Sequence, residues 1–230
     1  LRPITEPAPT PPAPPVALVA PLLAAMPLGQ TPTEFRKLTG VRGTIAKRMH
    51  ASLREMAQLT LMMDADLDAV VAHRSARQAA GAAPGFTDYI VAATARDLRD
   101  HPIVNAQVTE NGIALLPDIH VGLAVAVPTG LMVPVIRHAD RLGLADLSAE
   151  TTRLAEAGRA GALKLADLEG GTFSVSALGM FGVDGFTPVI NPPNVAILGV
   201  GRIRDELVLR GGEITTTRRL TLSFLSLIHI

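Results

Sequence analysis

The sequence predicts an α/β protein, a two-layer sandwich in which helices cover a mixed β-sheet. Apolar residues recur with the helical period in some segments and with a period of two in others. These segments do not follow the strict strand–helix–strand alternation that indicates a purely parallel sheet. Hydrophobic residues make up 48% and charged residues 18% of the 230 positions, which is enough for one sizeable core.

The first 33 residues predict an interdomain linker rather than part of the core. Ten of the 18 prolines fall within the first 32 positions, in a sequence rich in alanine and proline. Proline fixes φ and removes a backbone donor, so the segment should be an extended, semi-rigid spacer that tethers something upstream. A disordered tail is the alternative. The chain begins with Leu1 rather than Met, so we expect the true N-terminus to lie upstream.

Helical periods predict four helices in the folded part. In the first, apolar side chains recur every three or four positions. Aspartate or threonine stands where a cap for the second and third would be needed. The first predicted helix is Thr44–Met56. The second runs to about Arg77 and is capped by Asp66 or Asp68, and the third, capped by Thr87 or Asp88, has Val91, Ala95 and Leu98 on its apolar face. The fourth is Leu147–Ala157, and a shorter helix follows at Leu163–Leu168.

Strand periods predict a half-buried strand, several buried strands and a hairpin. The segment Pro128–Gly130 predicts a turn between two of these strands, and Gly211-Gly212 predicts the turn of the hairpin. The predicted strands are Leu59–Leu67, Ile119–Val127, Leu131–Ile136, Thr172–Ser176, Val195–Val200, Leu207–Arg210 and Ile214–Phe224.

Composition excludes several classes of function. Lys plus Arg equals Asp plus Glu at 21 each, which argues against nucleic acid as the main partner. The absence of cysteine excludes disulfides, thiolate metal sites and a cysteine nucleophile. No apolar run approaches the roughly 20 residues that span a bilayer, so we expect no membrane partner. None of the six histidines has zinc-site spacing, so we expect no metal.

Two glycine-containing motifs carry chemical interest. Gly199–Arg204 begins like a dinucleotide fingerprint but has Arg204 where the third glycine belongs, so we expect no nucleotide there. Ser174 and Ser176 end a buried strand just before Gly179, where a hydroxyl could stabilise an oxyanion. Serines that satisfy the backbone at a strand end are the alternative.

Several ordered blocks resemble one enzyme family. They are Val41–Met49, His101–Ala106, Val121–Ile136, Gly171–Gly182, Phe186–Pro193 and Ala196–Gly201. Together they are similar to the acyltransferase component of 2-oxo-acid dehydrogenase complexes, over roughly Glu34 to Phe224. The alanine–proline spacer fits too, since such linkers join lipoyl and subunit-binding domains to the catalytic domain in this family.

The resemblance implies a chloramphenicol-acetyltransferase-like fold that forms trimers and then a large hollow core. The implied reaction transfers an acyl group, we expect acetyl, from dihydrolipoyl-lysine to coenzyme A in a channel between neighbouring subunits. Ser176 matches the position that supplies the oxyanion-stabilising hydroxyl. The decarboxylase and the dihydrolipoamide dehydrogenase of the complex are the implied partners. The lipoyl group would sit on a domain outside this chain. The implied compartment is the bacterial cytoplasm or the mitochondrial matrix.

The family's catalytic base, a His in His-Arg-x-x-Asp-Gly after the last strand, has no counterpart here. After Phe224 the chain reads Leu225–Ile230, a translation of a transposon-end sequencing adapter, so we expect 225–230 to be a non-native tail. His73 has no Asp at the required spacing, and nothing follows His229 to serve as one. We therefore expect an inactive fragment, a final strand without its cover, and poor folding or a damaged trimer.

Four cations are candidates for coenzyme A binding: Arg42, Lys47, Arg48 and Arg137. Solvated charge on a helix face is the alternative interpretation of these residues. For the protein as a whole, the alternative function is a non-catalytic structural paralogue that keeps the fold and holds partner subunits.

Overall fold

A mixed seven-stranded sheet lies at the centre of the compact unit formed by residues 38–230. The computed structural model describes residues 34, 37–82, 84–127 and 130–230. The predicted linker, residues 1–33, and the Pro128-Thr129 turn lie outside the described residues. Within the described part, no helix combines the length and apolar character needed to cross a bilayer.

Four α-helices form close to where the periodicity predicts them. They are α1 (Gly40–Glu55), α2 (Asp68–Ala79), α3 (Phe86–Asp100) and α4 (Leu144–Arg159). The predicted short helix after α4 is a single 3-10 turn at Leu165–Asp167, and a second such turn spans Gly179–Phe181. The predicted cap of α3 is wrong. Gly85 is the cap residue, and Asp88 reaches back to accept its N–H at 2.8 Å.

Eleven strands are present in the described residues, in one large sheet and two ribbons. They are β1 (Gln58–Asp66), β2 (Ala106–Thr109), β3 (Gly112–Leu115), β4 (Val121–Leu123), β5 (Val125–Val127), β6 (Gly130–Met132), β7 (Val135–Ile136), β8 (Phe173–Ala177), β9 (Ala196–Val200), β10 (Arg204–Arg210) and β11 (Glu213–Leu227).

The large sheet is mixed, as the sequence predicts. Its order is β1-β11-β9-β8-β4-β7, with β10 also paired to β11. The central strands β4, β8 and β9 run parallel, whereas β7, β1 and β10 join antiparallel to their neighbours. The predicted hairpin at Gly211-Gly212 is confirmed, because β10 and β11 pair across these two glycines, both at positive φ.

The hydrophobic core lies between this sheet and the helices. Val91, Ala95 and Leu98 form the buried face of α3, as predicted, and belong to one cluster with Phe173 and Val175 of β8. Alternate residues of a strand point to opposite faces, so β8 places its phenylalanine and valine under α3 and its serines on the other face. The core therefore fixes which way Ser174 and Ser176 point.

Three strand predictions differ from the structure. The two predicted strands around Pro128 break into four, because β4 and β7 join the large sheet while β5 and β6 pair only with each other. The β2–β3 hairpin was not predicted. β1 forms as predicted but is not half-buried, because Leu61 and Met63 are 58% and 71% exposed on a face that no described residue covers.

The predicted tail does not leave the fold at Phe224. β11 continues to Leu227, with Leu225 and Leu227 each 2% exposed in the core. The alternation of buried and exposed side chains simply carries on for three residues. That residues 225–230 are non-native stays a prediction about the origin of this part of the sequence, and the geometry does not test it.

Candidate active site

A cleft of about 740 Å³ opens on the sheet face opposite α3. Its floor is made of β4 and β8, and its walls come from α1, the segment after Phe186 and the loop before β8. The lining residues that matter below are Arg48, Gln107, Gly122, Glu169, Ser174, Ser176, Phe186, Asn191 and Asn194. Most of the lining is apolar, so a polar ligand atom would find few but well-placed partners.

Ser176 lies in the floor of this cleft, near the carboxyl end of β8. It pairs in parallel register with Gly199 of β9, and the alternation of the strand puts Ser174 on the same face. Ser176 is half-buried. Within the described residues its hydroxyl makes no hydrogen bond to protein. A free O–H that faces a cleft can donate to a ligand oxygen.

Two glycines make room around these hydroxyls. A Cβ on Gly122 would lie 2.8 Å from Val133 Cγ1 and 3.6 Å from the hydroxyl oxygen of Ser174. A Cβ on Gly199, beside Ser176, would lie 3.1 Å from the ring of Phe186. The first distance is shorter than real Cβ contacts and the second is tighter than most. The cleft floor therefore needs residues without side chains at both positions.

Of the three α1 cations predicted to bind coenzyme A, the structure brings only Arg48 to the cleft. Arg48 lies on the same helix face as Thr44, which also lines the cleft. Arg42 and Lys47 are exposed and are not among the lining residues. The helical rotation of about 100° per residue places them off the cleft face. Their exposure favours the alternative of solvated charge, and their assignment to coenzyme A stays an untested prediction.

The fourth predicted cation, Arg137, holds the cleft wall. Its guanidinium donates to the backbone oxygen of Ala166 at 2.9 Å and to that of Glu169 at 3.1 Å. These carbonyls belong to the loop that forms the wall through Gly170 and Gly171. A guanidinium occupied by two carbonyls is a positioning group, so its assignment to coenzyme A stays an untested prediction that this geometry does not favour.

A charged network secures the same loop from α4. Arg153 forms ion pairs with Glu150 at 2.7 Å and with Asp167 at 3.0 Å. The N–H of Lys164, and then Arg153, lower the pKa of the Asp167 carboxyl. The hydrogen bond from Arg153 lowers the pKa of Glu150 in the same way. The wall is therefore anchored by groups outside the cleft, which leaves its inner surface free.

No histidine lines the cleft in the part of the chain that the structure describes. His73 Nδ1 lies 2.8 Å from the hydroxyl of Tyr89, and His229 is exposed beyond β11. Neither is a candidate base, in agreement with the sequence analysis. Arg48 and Glu169 are the ionisable residues of the described lining. The described lining of the cleft thus contains a serine hydroxyl that makes no hydrogen bond to protein, but no imidazole.

A second polar cluster, which sequence reasoning missed, lies at the other end of the same strands. One ligand atom each of Asp118, His120 and His138 lies within 4.8 Å of the others. The cluster forms because β4 and β7 are antiparallel neighbours. Burial, and then the charge of His138, lower the pKa of His120.

The donor atoms of this cluster are largely committed to the protein. His120 Nδ1 accepts the backbone N–H of His138 at 3.0 Å, which uses the single lone pair of a neutral imidazole. Asp118 Oδ1 accepts from Arg141 at 2.6 Å. A metal ion at His120 would have to displace its hydrogen bond to the His138 N–H, and it would lie close to the Arg141 guanidinium.

Comparison with known proteins identifies the family. Residues 30–226 match the family of 2-oxoacid dehydrogenases acyltransferase (catalytic domain). The chain belongs to this family. Resemblance and fold class are thereby confirmed, because the matched range covers nearly all of the described sheet and helices.

Sequence relatives carry two different acyl names. The chain is 37% identical over 204 residues to the dihydrolipoyllysine-residue acetyltransferase component of the acetoin cleaving system of Bacillus subtilis, with 86% of the chain and 51% of the relative covered. It is 35% identical over 192 residues to the succinyltransferase component of the 2-oxoglutarate dehydrogenase complex of Cupriavidus necator, with 81% and 46% covered. The chain thus spans about half the length of these relatives.

Solved structures share the fold over most of their length. One is the dihydrolipoamide acetyltransferase of Azotobacter vinelandii, studied for the catalytic roles of a serine, a histidine and an asparagine. Another is the cubic core of a pyruvate dehydrogenase multienzyme complex. Each has a TM-score of 0.80 and 31% identity, covering 94% of this chain and 88% of the solved chain. The mixed-sheet architecture is that of these acyltransferase cores.

Proposed function

We propose that the cleft is the acyl-transfer site of a 2-oxo-acid dehydrogenase complex acyltransferase, in which an acyl group passes from dihydrolipoyl-lysine to coenzyme A. The observation that carries the proposal is the unpaired hydroxyl of Ser176 in the floor of a cleft on this fold. A solved acetyltransferase of similar fold was studied for the catalytic role of a serine, and the resemblance in sequence implies that Ser176 is the corresponding residue.

The chemistry asks two things of the protein. A base removes the proton of the coenzyme A thiol, and the thiolate attacks the thioester carbonyl of the acyl-dihydrolipoyl group. The carbonyl oxygen becomes negative, and the Ser176 O–H is placed to donate to it. Collapse of the intermediate breaks the old C–S bond, and the dihydrolipoyl sulfur takes up the proton. Arg48 at the cleft rim would pair with a coenzyme A phosphate.

The base is the missing part. No described residue of the cleft lining is a histidine, so this chain by itself should turn over substrate far more slowly than its relatives. We propose acetyl as the acyl group, in keeping with the acetoin-system relative, although a succinyltransferase is almost as similar.

Self-assembly is part of the proposal, with the decarboxylase and dihydrolipoamide dehydrogenase as further partners in a bacterial cytoplasm or mitochondrial matrix. The β10–β11 hairpin exposes Leu207 and Leu209 at 72% and Ile214 at 75%. Such a row of apolar side chains is what a second copy would cover. The similar cubic core of a pyruvate dehydrogenase complex supports the same proposal.

A chimera tests the proposal directly. The chain through Phe224 would be joined to the segment that follows the equivalent position in the acetoin-system relative, which restores a histidine motif. We expect acetyl transfer between coenzyme A and dihydrolipoamide, and a fall in kcat of roughly 100-fold or more in Ser176→Ala. Ser75→Ala, on the exposed surface of α2, is the matched control. A chimera with unchanged kcat in Ser176→Ala would refute the role of this hydroxyl.

The unmodified chain provides a second test. We expect it to bind coenzyme A without detectable turnover, and Arg48→Gln to weaken binding while Arg42→Gln does not. Full acyltransferase activity in a well-folded oligomer of the chain as written would overturn the proposal that it lacks its base.

The lack of a histidine in the described cleft also favours a second candidate, a non-catalytic core subunit that holds partners. The two candidates differ in substrate binding. A structural subunit has no need to bind coenzyme A, so saturable binding that depends on Arg48 would favour the enzyme, and assembly without any binding would favour the scaffold.

A further inference from the structure

One wall of the cleft carries side-chain amides that the proposed chemistry does not use. Gln107, Asn191 and Asn194 all line the cleft, and the first two are half-buried. Amide groups that face a largely apolar cleft are suited to one kind of ligand atom, a neutral hydrogen-bonding group.

The fold holds Gln107 in place through its backbone and its side chain. Gln107 and Asn194 form an isolated antiparallel bridge, and Val108 donates its N–H to the oxygen of Pro193 at 2.8 Å. The Gln107 side chain donates from Nε2 to Oδ1 of Asn194 at 3.3 Å. Asn194 is 4% exposed, so it cannot move away. The carbamoyl group of Gln107 is therefore oriented before any ligand arrives.

That single bond leaves the carbonyl oxygen of Gln107 available. Within the described residues Oε1 has no protein donor, and an amide oxygen can accept two hydrogen bonds. A half-buried acceptor aimed into an apolar cleft gains most from a ligand N–H, because water is partly excluded there. The carbonyl oxygen of Gln107 is thus an oriented acceptor that no donor among the described residues satisfies.

We propose that Gln107 is a specificity-determining residue that accepts a hydrogen bond from the amide N–H of the thiol substrate, with Asn194 as its positioning partner. This inference rests on the proposed function. Both substrates of that reaction are thiols attached to an amide: the dihydrolipoyl group is joined to lysine through one, and the pantetheine arm of coenzyme A contains two. One amide-reading residue in the cleft would favour these thiols over others of similar size.

The test compares two ligands on the unmodified chain by calorimetric titration. Dihydrolipoamide has an amide N–H, and methyl dihydrolipoate has the same dithiol and carbonyl without it. We expect the amide to bind about five-fold more tightly, as one neutral hydrogen bond allows. In Gln107→Leu that preference should disappear, while Gln78→Leu, at an exposed position of α2, should keep it.

The outcomes separate this inference from the proposed function. Equal affinity for amide and ester in the unmodified chain, or an unchanged preference in Gln107→Leu, would overturn the role of Gln107 and leave the acyl-transfer site intact. If neither dithiol bound, the proposed function itself would fail. Because the ligand comparison is made on the unmodified chain, it does not depend on how well a variant folds.

Discussion

Near the carboxyl end of β8, the Ser176 hydroxyl has no protein partner among the described residues, whereas just before β8 begins Thr172 joins a network of hydrogen bonds with two histidines. Thr172 Oγ1 accepts the N–H of His120, and His120 Nδ1 accepts that of His138. The two places are four residues apart, roughly 13 Å of extended chain. The described lining of the cleft has a free hydroxyl and no histidine, whereas His120 and His138 both lie at the other end.

The largest effect should come from a glycine at the cleft end. A Cβ on Gly201 would overlap the backbone oxygen of Asp184, and backbone atoms cannot turn aside. We expect Gly201→Ala to lower the free energy of unfolding by about 3 kcal/mol or more, measured by urea denaturation.

Gly143→Ala is the matched control for this substitution, because the nearest atom to the added Cβ is Asp146 Oδ2 at 3.7 Å. Replacing a glycine N-cap by alanine costs up to about 1 kcal/mol, well below the loss expected for Gly201→Ala. Equal losses in the two variants would show that close backbone packing does not hold the cleft end together.

The histidine end should be next in size. His120→Ala removes the acceptor of the His138 N–H and leaves that partly buried donor unpaired, at a cost of about 1–3 kcal/mol. His101→Ala, at an exposed position after α3, should have little effect on the urea midpoint. A His120→Ala chain as stable as the unmodified one would mean that the bonds at this end are dispensable.

The ion pairs and hydrogen bonds that anchor the cleft wall should make the stability of the chain depend on pH in the acid range. The pKa of Asp167 is lowered in the fold, so the unfolded chain binds its proton first as the pH falls. Its stabilising contribution is therefore complete above the ordinary aspartate value of about 4 and is lost as the pH falls through the folded value. We expect Asp167→Asn to be less stable than the unmodified chain at pH 6, with the difference shrinking below about pH 4 in urea titrations.

The smallest effect on stability should come from the hydroxyl that we propose for oxyanion stabilisation. Ser176 makes no protein hydrogen bond within the described residues, so Ser176→Ala should change the unfolding free energy by less than about 0.5 kcal/mol. Thr172→Val is the informative counterpart, since its hydroxyl bonds His120 and its loss should be measurable. A large destabilisation in Ser176→Ala would blur the contrast between the two ends.

Local patterns predicted much of the fold because they depend on neighbouring residues. The face of α3 with Val91, Ala95 and Leu98 follows from helical spacing, and the orientation of Ser176 follows from strand alternation. The cap of α3 was missed because glycine leaves no side-chain signal. The short β2–β3 hairpin was missed because so few residues carry little periodicity.

The composition of the site was less accessible to sequence reasoning. Gln107 and Asn194 are 87 positions apart in the sequence, and they meet only because an isolated antiparallel β-bridge joins them. Arg137 was predicted to bind a ligand, yet its guanidinium donates hydrogen bonds to two backbone carbonyls of a later loop, 29 and 32 positions away in the sequence. Residue type predicts what a group can do, but only the fold decides whether it is still free.

β1 ends the large sheet, so one row of its backbone N–H and C=O groups faces outward. Asp64 and Asp66 lie in its later half, each in an ion pair with an arginine of β10, and such charged side chains discourage a stray strand from adding there. The earlier half, from Leu59 to Met63, has no charged residue and exposes apolar side chains. Copies that lack a proper covering surface would therefore tend to aggregate by edge-to-edge pairing at this strand, and lysine at position 61 would be the simplest way to keep them in solution.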